Sequence, residues 1–227
     1  MRVYQIYFKP EQLANLEPEY IPYNNAECTV FFESEVMRSL IERNSHRDTD
    51  YFGVVSHKLR VKLGFTKDNW KNNKNIHNTS TQEFTPTAFQ RQVYEAKPDV
   101  MSFQRHSPHD TVMVANGFHP GFLKYWTQIM SRIGYKWEPT RFEDVFYCNY
   151  FVAKSEIYER YVREMLAPAM DEMVRMAELW SPCRYPDPLP GNLQSKFGIE
   201  HWPFHAFLCE RMFTYFAHIH RLNCKHY

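Results

Sequence analysis

The stretch Tyr51 to Lys58 reads YFGVVSHK and places an apolar run of strand length directly before three polar residues. Its first part, Tyr51 to Val55, has the length and composition of a strand that is buried on both faces. The run ends abruptly at Ser56-His57-Lys58, where we expect the chain to leave the sheet. Because ligands of open α/β sheets bind beyond the carboxyl ends of the strands, this tripeptide is the first candidate for a binding site.

Strand and helix patterns alternate on both sides of this stretch. Further strands are predicted at Arg2–Phe8, Pro98–Phe103 and Glu143–Ala153. Helices are predicted at Glu33–Arg43, at Pro86–Ala96, from His119-Pro120-Gly121 to about Ile133, at Ser155–Trp180 with a break or kink at Pro168, and at Pro203–Leu222. The alternation predicts one α/β domain over residues 1–227, with a mainly parallel, twisted sheet flanked by helices.

The composition narrows the possible functions. Lys and Arg together number 27 and Asp and Glu 26, for a formal charge of +1, which argues against polybasic nucleic-acid binding. With only 7 glycines, a glycine-rich phosphate loop is not expected. The absence of a run of roughly 18 apolar residues and of a signal-peptide pattern predicts a cytosolic protein. Five scattered cysteines indicate neither a disulfide framework nor a cysteine-based zinc site.

Polar side chains gather where the predicted strands end. The flanks of the second and third strands carry His57, Lys58, Arg60, Lys62, Gln104, Arg105, His106 and His109. Cations at strand ends suit an anionic ligand such as a diphosphate. The alternative is that Lys58, Arg60 and Lys62 form an exposed alternating edge.

Several segments, taken in order, carry a family resemblance. They are the strand Tyr51–Lys58, the lone strand beginning at Pro98-Asp99-Val100, the segment Asn149–Lys154 (NYFVAK) that enters a helix, and the final helix with Leu208–Phe213 (LCERMF). Together they resemble the GT-A-fold glycosyltransferases of bacterial capsule and surface-polysaccharide clusters. The resemblance spans roughly residues 33–219.

This resemblance implies a nucleotide-sugar donor and a saccharide or lipid-linked saccharide acceptor. From the strand ends, we expect the donor base and ribose near Tyr7 and the diphosphate near Ser56, His57 and Lys58. The residues that would contact the sugar or the acceptor are Asn149, Tyr150, Trp202 and His205. A core position is the alternative for His205 and Trp202, and a domain of this fold that binds a nucleotide or carbohydrate without catalysis is the alternative for the whole chain.

The predicted catalytic base is Glu210, which follows the apolar stretch Ala206–Cys209 and precedes Arg211. A carboxylate on such a helix face is costly unless it is paired or used. A structural ion pair with Arg211 is the alternative. Asp99 is the second choice for the base, although it opens its strand and could simply cap a turn.

A metal ligand set is not predicted. The Asp-x-Asp motif that holds the divalent ion in GT-A enzymes occurs here only as Asp48-Thr49-Asp50, which precedes its strand and therefore suits a turn at the opposite edge. We expect cationic side chains to neutralise the leaving diphosphate in place of a metal, while Mn²⁺ or Mg²⁺ stays the alternative. Neither His218-x-His220 nor His226 has a matching acid nearby in the sequence.

Contact with a membrane surface is a further expectation of the resemblance, since lipid-linked acceptors meet activated sugars at the inner membrane face. The candidate contact is Lys67–Lys74 (KDNWKNNK), which mixes basic and aromatic residues. A solvated loop is the alternative for this segment.

Overall fold

The computed structural model describes residues 1–62, 84–104, 106–185 and 188–227. Within these residues, six strands form one sheet: β1 (Arg2–Tyr7), β2 (Ile21–Asn24), β3 (Tyr51–Ser56), β4 (Val100–Ser102), β5 (Phe151–Lys154) and β6 (Cys224–His226). Their order across the sheet is β2-β1-β3-β5-β4-β6. Strands β2, β1 and β3 run parallel, β4 and β6 run parallel, and β5 lies antiparallel between β3 and β4.

Nine α-helices lie within the described residues: α1 (Glu33–Glu42), α2 (Leu59–Lys62), α3 (Pro86–Ala96), α4 (Thr111–Phe118), α5 (Phe122–Arg132), α6 (Ser155–Tyr161), α7 (Ala167–Val174), α8 (Gly191–Phe197) and α9 (His205–Ile219). Short 3-10 turns cover Pro10–Asn15 and Ala177–Trp180, and a π-helical turn covers Val162–Leu166. No helix in these parts of the chain is both long and apolar enough to cross a bilayer.

Helices cover both faces of the sheet. Alternate residues of β3 divide between two hydrophobic clusters, because successive side chains of a strand point to opposite faces. Phe52 and Val54 join the larger cluster with α1, α5, α7 and α9, whereas Tyr51 and Val55 pack with α3. Gly53 lets β3 approach β5, since a Cβ at this position would lie 2.7 Å from Val152 Cγ1. The predicted α/β class with a mainly parallel sheet is confirmed, and the arrangement is compatible with a Rossmann-like fold.

Local signals predicted several elements well. Helix α3 has the predicted bounds because Thr85 accepts a hydrogen bond from the Ala88 backbone N–H and Pro86 occupies the first turn. Strand β3 extends the prediction by one residue, to Ser56. The helix predicted to open around Pro120 begins at Phe122, and the one predicted at Pro203–Leu222 covers His205–Ile219.

Two long elements are shorter than predicted. The strand predicted at Glu143–Ala153 is wrong before Phe151, because Cys148 and Asn149 have φ values of 54° and 59°, which no extended strand accommodates. The helix predicted at Ser155–Trp180 is divided into α6, a π-helical turn and α7. That turn ends two residues before Pro168, where the sequence predicts a break or kink, because the missing N–H of this proline interrupts regular helical hydrogen bonding.

The edge strands β2 and β6 and the helices α4 and α8 were not predicted from the sequence. Both strands are short, with 4 and 3 residues, and they take their conformation from pairing with a neighbour rather than from a pattern of their own. The predicted membrane-contact segment Lys67–Lys74 and the predicted cation Arg105 lie outside the described residues.

Candidate functional site

The parallel strands bring several predicted site residues to one edge of the sheet. In the strand register Tyr7 pairs with Asn24, and Ile6 pairs with Ser56, so β1, β2 and β3 end side by side. Because β5 is antiparallel, its start lies at this same edge, where Phe151 pairs with Ser102. Tyr7, Ser56 and the Asn149-Tyr150 pair thus lie along one carboxyl edge, as the sequence predicts.

Helices α1 and α9 place two carboxylates at this edge. The Ser34 side chain hydrogen-bonds the Cys209 sulfur, and this contact brings the preceding Glu33 and the following Glu210 close to each other. Burial raises the pKa of Glu33, and the negative charge of Glu210 adds to the effect. Arg211 Nη1 donates a hydrogen bond of 2.5 Å to Glu210 Oε2. The carboxylate of Glu210 is therefore held in place at the edge.

A lysine lies among these acids. Lys62, at the end of α2, is exposed, and its Nζ lies 3.2 Å from Cys148 Sγ and 5.8 Å from the ring centroid of Tyr150. Cys148, Tyr150, Glu210 and Glu33 together raise the pKa of Lys62 well above its ordinary value. The ammonium of Lys62 is thus fully charged at neutral pH. We call Glu33, Lys62, Cys148, Tyr150 and Glu210 the strand-edge cluster.

The backbone that leads into β5 is strained beside this cluster. Cys148 and Asn149 are consecutive non-glycine residues in the left-handed region. Asn149 is 2% exposed, and within the described parts of the chain its Oδ1 has no hydrogen-bond partner. Strained residues and unpaired buried polar atoms concentrate at binding and catalytic sites, so Asn149 is a candidate ligand contact.

The side chains of Ser56 and Tyr150 form a hydrogen bond with each other. Ser56 Oγ and the Tyr150 hydroxyl are 2.7 Å apart, and the Lys58 backbone N–H donates to the same serine oxygen at 3.1 Å. Burial raises the pKa of Tyr150, so its hydroxyl stays protonated. The Ser56 side chain therefore stabilises the turn after β3. Its Oγ already makes hydrogen bonds within the protein, and this is the atom that would contact a diphosphate.

Fewer positive charges are available to a ligand at the end of β3 than the sequence predicts. Burial, with Lys58 and Lys62 nearby, lowers the pKa of His57 to about 4, so this histidine is neutral at pH 7 and adds no positive charge. Arg60 donates two hydrogen bonds of 2.7 Å to the buried carboxylate of Glu17. An alternating exposed edge is also excluded, because residues 59–62 form α2. Among the described residues of this predicted group that follow β3, Lys58 and Lys62 are exposed cations that can meet a ligand.

The two aromatic candidates near α9 have different surroundings. Trp202 is half-buried, and a series of ring contacts connects it through Phe32 and Phe8 to His57 at the end of β3. His205 is 1% exposed and packs between Phe31 and Trp180, where burial lowers its pKa to about 4. Trp202 is thus linked to the end of β3 only through two intervening rings, whereas His205 occupies the core position that was its alternative.

Asp99 lies at the opposite edge of the sheet from the strand-edge cluster. It precedes β4, accepts a hydrogen bond of 2.8 Å from Lys154 Nζ and accepts another of 2.9 Å from the Asn223 backbone N–H. The structure therefore does not bring Asp99 together with Glu210. Asp48-Thr49-Asp50 precedes β3 at that same distant edge, as predicted for a turn.

Sequence reasoning missed Glu33 as a site residue and Asp144 as a partner for the histidines. An acidic residue at a helix start is so common that Glu33 carried no local signal. Asp144 lies with His106 and His226 in a group that could hold a metal ion.

No family model, curated protein or solved structure matches the chain.

Proposed function

We propose that the chain is a glycosyltransferase that moves a sugar from a nucleotide-sugar donor to a saccharide or lipid-linked saccharide acceptor in surface-polysaccharide synthesis. The observation that carries the proposal is the strand-edge cluster, in which two carboxylates and a lysine meet at the carboxyl edge of parallel strands. Nucleotide ligands of open α/β sheets bind at this edge. The ordered resemblance to GT-A enzymes supports the same activity.

Glu210 is the proposed general base. Its carboxylate takes the proton of the acceptor hydroxyl while that oxygen attacks the anomeric carbon of the donor sugar. The new C–O bond forms as the bond from the anomeric carbon to the diphosphate breaks, and the electron pair leaves with the nucleoside diphosphate. Arg211 orients the carboxylate through its hydrogen bond to Oε2.

Lys58 and Lys62 are proposed to stabilise the departing diphosphate. Negative charge develops on that group as its bond to the sugar breaks, and fixed positive charges in the site lower the barrier. A divalent cation, Mn²⁺ or Mg²⁺, is the alternative source of this charge. Tyr7, at the end of β1, is the proposed contact for the base and ribose, and Asn149 or Trp202 is the proposed contact for a sugar.

The proposed reaction belongs in the cytoplasm, where nucleotide sugars are available. A lipid-linked acceptor would bring the enzyme to the inner membrane face without a spanning helix. We propose no nucleic-acid partner, since the formal charge of the chain is only +1.

One observation favours a second candidate, a domain that binds a nucleotide or carbohydrate without turning it over. Strand β3 ends at Ser56 and is followed by His57-Lys58, where metal-dependent GT-A enzymes carry paired carboxylates. A binding domain would keep the nucleotide site and lack transfer.

The deciding experiment combines binding with turnover. Thermal unfolding of the full chain is measured with UDP, GDP, CMP, dTDP and ADP, each with and without Mn²⁺, because a ligand of the native state raises the midpoint. The corresponding nucleotide sugar is then incubated with candidate acceptors. A selective shift with transfer supports the enzyme, and a shift without hydrolysis or transfer supports the binding domain. Loss of transfer on chelation that Mn²⁺ or Mg²⁺ restores, and Zn²⁺ does not, would make the metal-free mechanism wrong.

A further inference from the structure

Three side chains that are far apart in the sequence meet at the edge strand β6. His226 pairs with Ser102 in the register of β4 and β6, so it lies at the carboxyl end of β4. His106 follows β4, and Asp144 comes from the segment before β5. One ligand atom from each of the three residues lies within 4.8 Å of the other two.

The ring of His226 is held in a defined orientation. Its Nδ1 lies 2.9 Å from the backbone oxygen of Gln104, and because a carbonyl only accepts, Nδ1 carries the hydrogen. This leaves Nε2 to face Asp144 Oδ1, at 2.9 Å. Phe146 stacks on the ring at an interplanar angle of 16°. Metal-bound histidines characteristically donate their other ring N–H to a carbonyl or carboxylate in this way.

The other two side chains are also placed by their neighbours. The Cys224 side chain hydrogen-bonds the Asp144 carboxylate, which is therefore held by two residues of β6. The ring of His106 lies 5.2 Å from that of His226 and is exposed to solvent. The group thus has one open side, through which an ion and a water molecule can enter.

We infer that His106, Asp144 and His226 bind one divalent transition-metal ion, with Zn²⁺ as the best fit. Two imidazoles and one carboxylate match the ligands of zinc, whereas Mg²⁺ and Ca²⁺ prefer oxygen ligands alone. Ligand atoms on a tetrahedral zinc ion stand about 3.3 Å apart. The 2.9 Å contact between His226 Nε2 and Asp144 Oδ1 therefore widens by a few tenths of an ångström when the ion takes the place of a proton between these two atoms.

The bound ion would hold in place the segment that enters the strand-edge cluster. Asp144 belongs to the same irregular segment as Cys148, Asn149 and Tyr150. Gln104 strengthens the link, because its backbone oxygen accepts from His226 while its side-chain oxygen accepts from the Tyr147 backbone N–H at 2.7 Å. The inferred role of the ion is to position this segment, and it does not depend on the proposed glycosyl transfer.

The test is titration of the metal-stripped full chain with Zn²⁺, followed by calorimetry and by the thermal midpoint. We expect one tight site per chain and a higher midpoint with Zn²⁺, and no comparable change with Mg²⁺. His106→Ala, an exposed change, and Asp144→Asn, a change of similar volume, should each weaken binding at least tenfold. His218→Ala, at an exposed position of α9 outside the group, is the matched control and should bind as the unmodified chain does.

Circular dichroism of each variant establishes that it is folded before binding is compared. Equal Zn²⁺ affinity in the unmodified chain, His106→Ala and Asp144→Asn would overturn the inference, as would no binding in the unmodified chain. Because the readout is metal binding, failure here leaves the nucleotide and transfer experiments unaffected.

Discussion

Each edge of the sheet carries a carboxylate close to a lysine. The fold shifts the pKa of the carboxylate in opposite directions at the two edges. At the amino edge, partial burial by itself raises the pKa of Asp99, but hydrogen bonds from Lys154 and the Asn223 backbone outweigh it and hold the pKa below its ordinary value. At the carboxyl edge, burial outweighs the nearby lysines and raises the pKa of Glu33.

The difference lies in how the lysine is shared. Lys154 donates directly to Asp99, which satisfies both charges and leaves little for a ligand to gain. Lys62 is shared among Cys148, Tyr150 and the two acids of the strand-edge cluster. A carboxylate with a raised pKa beside a shared cation is typical of functional sites, whereas a saturated pair is typical of structural ones. The same residue types therefore have a structural role at one edge and a candidate functional role at the other.

The largest expected effect separates the two edges by activity. Glu210→Gln should lower the proposed glycosyl transfer by at least about a hundredfold, because the amide cannot take the acceptor proton. Asp99→Asn, the matched control at the other edge, should keep most of the activity. Initial transfer rates give both values, and the thermal shift with nucleotide establishes that donor binding persists. An active Glu210→Gln variant would remove Glu210 from the mechanism.

A smaller effect separates the lysines by binding. Lys58→Ala should weaken binding of the nucleoside diphosphate by about tenfold, the size of one lost charge-assisted contact. Lys154→Ala should leave that affinity unchanged, because Lys154 lies at the amino edge. Calorimetry with the diphosphate that shifts the thermal midpoint measures both. Equal affinity in the two variants would contradict the placement of the diphosphate beside Lys58.

The smallest expected effect is on the free energy of unfolding. Removing the charge of Glu33 and removing that of Asp99 should change it in opposite directions at pH 7. The folded state raises the pKa of Glu33, so ionisation of Glu33 costs stability as pH rises above its unfolded value of about 4.3. The folded state lowers the pKa of Asp99, so its contribution exists above about 3.9 and is lost as pH falls through the folded pKa. At pH 7, Glu33→Gln should therefore stabilise the protein, and Asp99→Asn should destabilise it by up to about 1 kcal/mol.

Urea unfolding at pH 7 and at the lowest pH where the protein stays folded measures these differences. Both should shrink toward acid, where the carboxyls of the folded and unfolded chains are protonated. Changes of the same sign at pH 7 would show that the two edges do not differ as described.

The same contrast between local and distant information explains what the sequence could predict. Helix α3 follows from Thr85 and Pro86, and strand β3 follows from its own apolar run, because capping and hydrophobic patterning act over a few residues. The placement of Tyr7 and Ser56 at one edge follows from parallel pairing alone. Fold class and the edge that carries the candidate site were therefore predictable.

Other features depend on contacts between distant parts of the chain. The sequence does not reveal that Ser34 meets Cys209, and so it does not place Glu33 beside Glu210. His57 is neutral because packing around the end of β3 buries it and lowers its pKa. The residue type alone does not predict this burial. The sequence by itself thus determined the α/β class and the residues available at the strand ends. Tertiary structure decided which of them share a desolvated site, because pKa values and ligand sets depend on neighbours in space.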